Sequence, residues 1–248
     1  MLFRYLAFSL LTVLTTVSTV VAQEPDSTET KEIDMSKLTD SKVYFSNGTD
    51  AALFQTSVFS RPGRSSSLTT LRFSYMINMG LNLNFDASKH FSVYAGVNIK
   101  NIGFIDKIKD STVKHRVYTV GIPVGFRIGD LLKRNYVVLG GGGDFPFNYR
   151  EKGFVRRGHK EKFNEWFSNR TEKVMPYVFA GFSVNPGLVI KAQYYFSNFM
   201  NPDYTQGAVK PYAGYDTHLI MIGVGYDIHY KHLTRYAETQ KKAMKNVM

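Results

Sequence analysis

The chain has 248 residues, a formal charge of +11, no cysteine, a single Trp and 15% aromatic residues. The lack of cysteine excludes a disulfide-built secreted scaffold and a lipid-anchored lipoprotein. So basic a chain invites a nucleic-acid partner, but the first residues point to export, which makes anionic lipid headgroups the expected counter-charge and leaves no nucleic acid among the expected partners.

Met1-Leu2-Phe3-Arg4 leads into an uncharged apolar run that ends at Val21-Ala22. A basic start, an apolar middle and a small residue at the cut describe a signal peptide over 1–22. Its rival is a retained anchor, since the run is nearly long enough to span a bilayer. No second uncharged run of that length follows, so no spanning helix is expected. Residues 23–50 read as an acidic, disordered leader: Gln23 to Asp40 holds six acids against Lys31 and Lys37 and has no aromatic residue. Val43 to Phe45 is at most a short strand before the Asn47-Gly48 turn.

From Ala51 to Tyr230 the chain offers eight strand candidates. The first, Ala52 to Ser60, lacks clean alternation. The second is the clearest: every odd position from Leu71 to Phe85 is apolar, while the even set includes Arg72, Ser74, Asn78, Asn82 and Asn84. A period of two marks a strand. The third, Phe91 to Lys100, and the fourth, Arg116 to Ile128, repeat the pattern, with Val120, Ile122, Val124, Phe126 and Ile128 on one face. The fifth runs from Tyr136 to Tyr149 through Gly140-Gly141-Gly142-Gly143. The sixth, Met175 to Val184, and the seventh, Leu188 to Phe199, flank Asn185-Pro186-Gly187. The eighth, His218 to Tyr230, places Ile220, Ile222, Val224, Tyr226 and Ile228 on one face, with Leu219, Met221, Gly223, Gly225 and Asp227 on the other. Residues 231–248 form a basic tail, either a short amphipathic helix on a membrane surface or a disordered segment.

Apolar stripes without spanning helices leave a closed barrel as the route into a membrane, because lipid cannot satisfy an open sheet edge. The fold class expected is all-β: an eight-stranded antiparallel transmembrane barrel. The connections agree. Asp86 to His90, Gly129 to Asn135 and Asn185 to Gly187 are short, as periplasmic turns are. Arg61 to Thr69, Asn101 to His115, Arg150 to Val174 and Met200 to Thr217 are long, as extracellular loops are.

Leu71 to Phe85, Phe91 to Ile105, Val117 to Gly129 and the closing Gly223-Val224-Gly225-Tyr226-Asp227-Ile228 together resemble the outer-membrane β-barrel (PorT-like) family of Gram-negative bacteria. The resemblance covers about residues 50 to 230. It implies a cell outer membrane location and, for some members, a part in protein secretion, though most members have no assigned activity.

The inward face is expected to carry a polar lumen network of Arg72, Asn78, Asn82, Lys100, Arg127, Asp144, Lys191 and Asp227, which plugs a barrel of this width. The glycine run lacks the Lys-Ser/Thr ending of a phosphate loop. It reads instead as room for bulky neighbours. Six scattered histidines show no metal spacing, and the acid–base pairs Asp216-His218 and Asp227-His229 lack a nucleophile beside them. No catalytic residue, cofactor or metal is therefore expected. The loop from Arg150 to Val174 carries eight basic residues against four glutamates, interleaved with aromatics. Arg156, Arg157, Lys160, Lys162 and Trp166 are its candidate surface-binding residues, with outer-membrane lipids, lipopolysaccharide phosphates and other envelope proteins as partners; the bland reading is a cap that packs on the barrel rim. The function expected is a non-enzymatic outer-membrane barrel with a structural, surface-binding or assembly role. The alternatives are a lipid-modifying enzyme and a small-solute pore.

Overall fold

The computed structural model describes residues 42–75, 78–108, 111–155 and 160–229. The segments read as signal peptide and basic tail, the acidic leader up to residue 41, and Arg156 and Arg157 lie outside the described residues. Those described contain no helix. They form one antiparallel sheet of twelve strand segments.

The first five segments are β1 (Val43–Asn47), β2 (Asp50–Arg61), β3 (Arg64–Leu68), β4 (Arg72–Tyr75) and β5 (Asn78–Asp86), and they make one long hairpin. It turns over at Pro62-Gly63, where Gly63 has φ 77. That left-handed conformation is what a turn with proline before glycine requires. The two arms pair through Val43↔Phe85, Ala52↔Tyr75 and Val58↔Leu68.

Next come β6 (Phe91–Ile108), β7 (Ser111–Asp130), β8 (Asn135–Val155), β9 (Lys160–Trp166), β10 (Met175–Val184), β11 (Leu188–Tyr195) and β12 (Asp216–Tyr226). Pairing runs β5–β6–β7–β8–β10–β11–β12, with β9 beside the far half of β8. β12 in turn pairs β2, from Asp216↔Ser60 to Gly225↔Asp50. β2 thus has partners along both edges. We call the end with the short turns the lower end and the opposite one the upper end.

Burial along the strands is inverted relative to a protein built for water. On β5, Met79, Leu81, Leu83 and Phe85 are exposed, while Asn78, Asn82 and Asn84 are buried, Asn84 completely. On β7, Val120, Ile122, Val124, Phe126 and Ile128 face out, and Thr119 and Arg127 face in. β12 and the two residues after it follow the expected parity, with Leu219, Met221 and Asp227 inside and Ile222, Tyr226 and Ile228 outside. Even β2, whose sequence shows no clean alternation, alternates in burial: Leu53, Gln55, Ser57 and Phe59 point inward.

The structure corrects the strand limits. β6 continues to Ile108 beyond Lys100, β7 begins at Ser111 before Arg116, and β8 runs to Val155 beyond Tyr149. Much of the expected long loops 101–115 and 150–174 is therefore paired strand. The reason is physical: near the upper end Asn101, Ile102 and Phe104 on β6 are all buried, so both faces are covered. The hydrophobic alternation that marks a strand with one apolar face is lost there, although backbone pairing continues. The sheet also takes in Val43–Asn47, ahead of the expected start near Ala51.

Candidate functional site

The inward face gathers cations and carboxylates from distant parts of the chain into matched pairs. Lys100 on β6 and Asp144 on β8 meet with Nζ 2.8 Å from Oδ2, both buried. Tyr195 on β11 donates its hydroxyl to the same Oδ2 at 2.5 Å and accepts from Gln193 Nε2 at 3.0 Å. The Lys100 ammonium also stands 4.0 Å from the centroid of the Tyr177 ring, close enough for a cation–π contact. A buried ion pair persists only when further hydrogen bonds satisfy both charges. Here the Tyr195 hydroxyl supports Asp144 Oδ2 and the Tyr177 ring the ammonium, while Asp144 Oδ1 has no hydrogen-bond partner among the described residues.

A second pair joins Lys191 on β11 to Asp50 at the start of β2, at 2.9 Å. Asn78 donates its amide to the other Asp50 oxygen. Toward the lower end, Asp227 is a hub: it accepts from Tyr136 at 2.5 Å, contacts His229 Nε2 at 2.7 Å and lies 3.7 Å from the Arg127 guanidinium. That guanidinium sits over the Tyr94 and Tyr136 rings, 4.9 and 5.3 Å from their centroids. Higher up, Arg72 has no carboxylate. It donates to Gln55 Oε1 at 2.8 Å and to the Asn101 side-chain carbonyl.

Within this network the remaining space is small, whereas at the upper end a cavity of about 240 Å³ is lined by Phe59, Arg61, Leu68, Thr70, Ile105 and Asp106. Two adjoining cavities of about 40 and 30 Å³ share Gly48, Asp50, Asn82, Tyr94 and Lys191. Each has room for about one or two waters. The glycines make way for this filling, since a Cβ on Gly140 would come 2.5 Å from the Phe179 ring and one on Gly142 would come 2.8 Å from the Tyr177 ring.

Above the network the interior turns aromatic. Phe104 packs against Phe59 at 5.6 Å and Phe199 at 5.3 Å, and Tyr215 meets Phe59 at 5.4 Å. His115 on β7 stacks on Phe104, and its Nδ1 lies 2.7 Å from the Tyr149 hydroxyl, which donates to Glu151 at 2.9 Å. Burial, helped by the nearby Arg61 charge, pushes the His115 pKa down to about 4. Arg61 itself is held by Asp106 at 2.5 and 2.6 Å.

Of the eight expected lumen residues, Arg72, Asn78, Asn82, Lys100, Arg127, Asp144 and Asp227 are buried, and the partly exposed Lys191 lines both cavities. The structure joins Lys100 to Asp144 and Arg127 to Asp227, while Asn82 lines both cavities. Sequence reasoning missed Asp50, Gln55, Asn101, Tyr136 and Tyr177. Asp50 and Gln55 lie on or beside the one strand with no chemical alternation, and tyrosines carry no inward signature. Of the candidate surface residues, Lys160, Lys162 and Trp166 lie on β9. Trp166 is exposed and stacks on Phe147 at 5.9 Å, with Phe147 in turn 6.3 Å from Tyr118. Among the described residues no group of three or more His, Asp or Glu side chains could hold a metal.

No protein-family model matches the chain, and no curated protein does. Among solved structures it is similar to Ail, the attachment invasion locus protein of Yersinia pestis, solved in complex with the heparin analogue sucrose octasulfate: identity is 17%, TM-score 0.34, and the match covers 75% of this chain and 97% of that one. CarO of Acinetobacter baumannii matches at 13% identity and TM-score 0.32, over 72% of this chain and 97% of the other. Neisserial surface protein A matches at 12% identity and TM-score 0.36, over 74% and 96%. Likeness at this level says nothing about what the chain binds.

Proposed function

We propose that the chain is an integral outer-membrane barrel with a sealed lumen, which serves as a scaffold for its upper hairpins and has no enzymatic activity of its own. The inverted burial carries the reading. Large apolar patches on a surface mark contact with a membrane or a partner, and here exposed apolar residues recur on β5, β6, β7, β10 and β12. From Val120 to Ile128 the outward face of β7 is about nine residues tall, the length a tilted strand needs to cross hydrocarbon.

The twelve segments count as eight strands once β1 and β2, then β3 to β5, then β9 and β10 are taken as interrupted single strands. In this reading the β12–β2 pairing closes that circuit. An eight-stranded barrel has an interior just wide enough for side chains to fill, and the ion pairs and rings described above fill it. The alternative of a solute pore is disfavoured by that filling. Asp227 and His229 are committed to Arg127, Tyr136 and one another, which favours a structural role for the acid–base pair. In the same reading residues 1–22 direct export, 23–50 supply an acidic leader that includes β1, and 231–248 remain on the periplasmic side. A part in assembly or secretion, as in the PorT-like family, belongs to the upper hairpins and the periplasmic ends.

The reading is tested by refolding the full chain into lipid vesicles and planar bilayers. It predicts heat-modifiable mobility in detergent gels, as a compact barrel gives, and no steady conductance. A stable open conductance overturns the sealed scaffold, and a mobility unaffected by heating overturns the barrel.

A further inference from the structure

β9 stops at Trp166, and the turn that follows carries the most exposed large apolar side chain among the described residues, Phe167 at 78%. Its φ is 51, a left-handed value that a bulky residue adopts only when its surroundings impose it. Here hydrogen bonds and an ion pair impose it. The Phe167 amide donates to the Phe147 carbonyl on β8 at 2.9 Å, and the Ser168 hydroxyl donates to Glu165 at 2.5 Å while accepting from the Arg170 amide at 3.2 Å. Arg170 lies 3.5 Å from Glu165, with its guanidinium 4.6 Å from the centroid of the Phe163 ring. A glycine would take this backbone without strain. The chain holds a phenyl ring in the open instead, and strained backbone of this kind collects at working surfaces.

What the ring meets follows from its level. Trp166 is opposite Asn148 on β8, and Asn148 is opposite Tyr118 on β7. Tyr118 stands two residues above Val120, the top of the outward aliphatic run of β7, about 7 Å along the strand and roughly 5 Å along the membrane normal at the usual barrel tilt. The exposed Trp166 ring stacks on Phe147, whose ring meets that of Tyr118. Phe145, two residues below Phe147, and Val174, just before β10, are exposed as well. Phe167 therefore adjoins an outer surface that is aromatic beside it and aliphatic below. β9 runs downward, from Lys160 opposite Phe154 to Trp166 opposite Asn148, so its closing turn is presented to the belt and not to the hairpin tips.

We propose that Trp166 and Phe167 form a wedge that inserts into the interfacial layer of the outer leaflet, among the glycerol groups and first acyl carbons of the lipid. The proposal rests on the outer-membrane reading above. Aromatic rings favour that layer and anchor the segment that carries them. The rigid turn adds to the anchoring, because a ring already held in place loses little conformational freedom on insertion. The wedge fixes the height of the paired β8 and β9 over the membrane surface. Continuity favours lipid over a soluble partner, since exposed apolar side chains run on from the wedge to Phe145, Val174 and Val120.

The test uses the full chain refolded in phosphatidylcholine vesicles, with fluorescence of Trp166, the only Trp of the chain, as reporter. The variant Trp166→Phe/Phe167→Trp exchanges the two rings and moves the reporter to position 167. Lipid brominated near the carbonyl end of the acyl chain quenches a shallow ring, lipid brominated near the middle of the chain a deep one, and iodide a ring in water. In both proteins the shallow bromine should cut the emission about twofold, and the deep bromine and iodide should each cut it less. Strong iodide quenching without quenching by brominated lipid, at either position, overturns the proposal and leaves the rings to a soluble partner. Quenching that is strongest from the deep bromine overturns it too, by placing the rings in the hydrocarbon core. The wild-type measurement needs no substitution and decides the matter if the exchanged variant does not fold. Failure of the wild type to float with the vesicles overturns the outer-membrane reading instead, and the proposal with it.

Discussion

Lys100 illustrates how one residue depends on its surroundings in this interior. Its ammonium is buried against Asp144, Tyr195 and the Tyr177 ring. Removing it leaves Asp144 charged and unpaired, so Lys100→Met should destabilise the protein by about 3–5 kcal/mol. Removing both charges, as Lys100→Met with Asp144→Leu, should restore most of that loss, because an apolar pair of similar volume is nearly neutral. Urea unfolding in lipid vesicles, followed by Trp fluorescence, measures both. Gly142 makes the complementary case for volume. With the Tyr177 ring 2.8 Å from where its Cβ would stand, Gly142→Val should overpack the lumen and cost about 1–3 kcal/mol in the same assay.

At the scale of the element, the β6/β7 hairpin shows two regimes along one pair of strands. Its lower half has one apolar outward face and one polar inward face, and this half was legible in the sequence from Phe91 to Lys100 and from Arg116 to Ile128. Its upper half buries Ile102, Phe104, His115 and Val117 under the aromatic cap. On β6 every residue from Asn101 to Asp106 is buried, so no period survives there and the sequence reads as loop. The same limit hid Asp50 and Gln55, whose partners, Lys191 and Asn78 for the one and Arg72 and Asn101 for the other, come from other strands through contacts that local pattern does not encode. Lys162 and Trp166 stood out by composition, whereas the pairing of Lys162 with Lys152 and of Trp166 with Asn148 is a property of register. His115 gives this hairpin a pH signature. Its pKa, near 6.5 when unfolded, is held down to about 4 in the fold. Its contribution to stability is therefore complete above pH 6.5 and is lost as pH falls through about 4. Imidazole NMR should show one histidine titrating near pH 4, and His115→Gln should abolish that signal; a midpoint above 6 contradicts the buried placement.

For the molecule as a whole, the decisive property is that side-chain polarity runs opposite to that of a soluble protein. In the function proposed, the apolar outer face is stabilised by lipid and the polar inner face by its ion pairs, Lys100 with Asp144, Lys191 with Asp50 and Arg127 with Asp227. Neither face is stable without its own environment. Extraction into water should therefore cause aggregation, and refolding should require lipid or detergent. The chain contains no cysteine, so single-cysteine spin labels along β5 report each position cleanly. The most direct test is a scan of residues 78 to 85 in reconstituted bilayers, measuring label collisions with lipid-soluble oxygen and with a water-soluble nickel chelate. Labels at 79, 81, 83 and 85 should collide strongly with oxygen, and labels at 78, 80, 82 and 84 weakly with both. Absence of that alternation, or strong nickel collisions at the odd positions, contradicts the account.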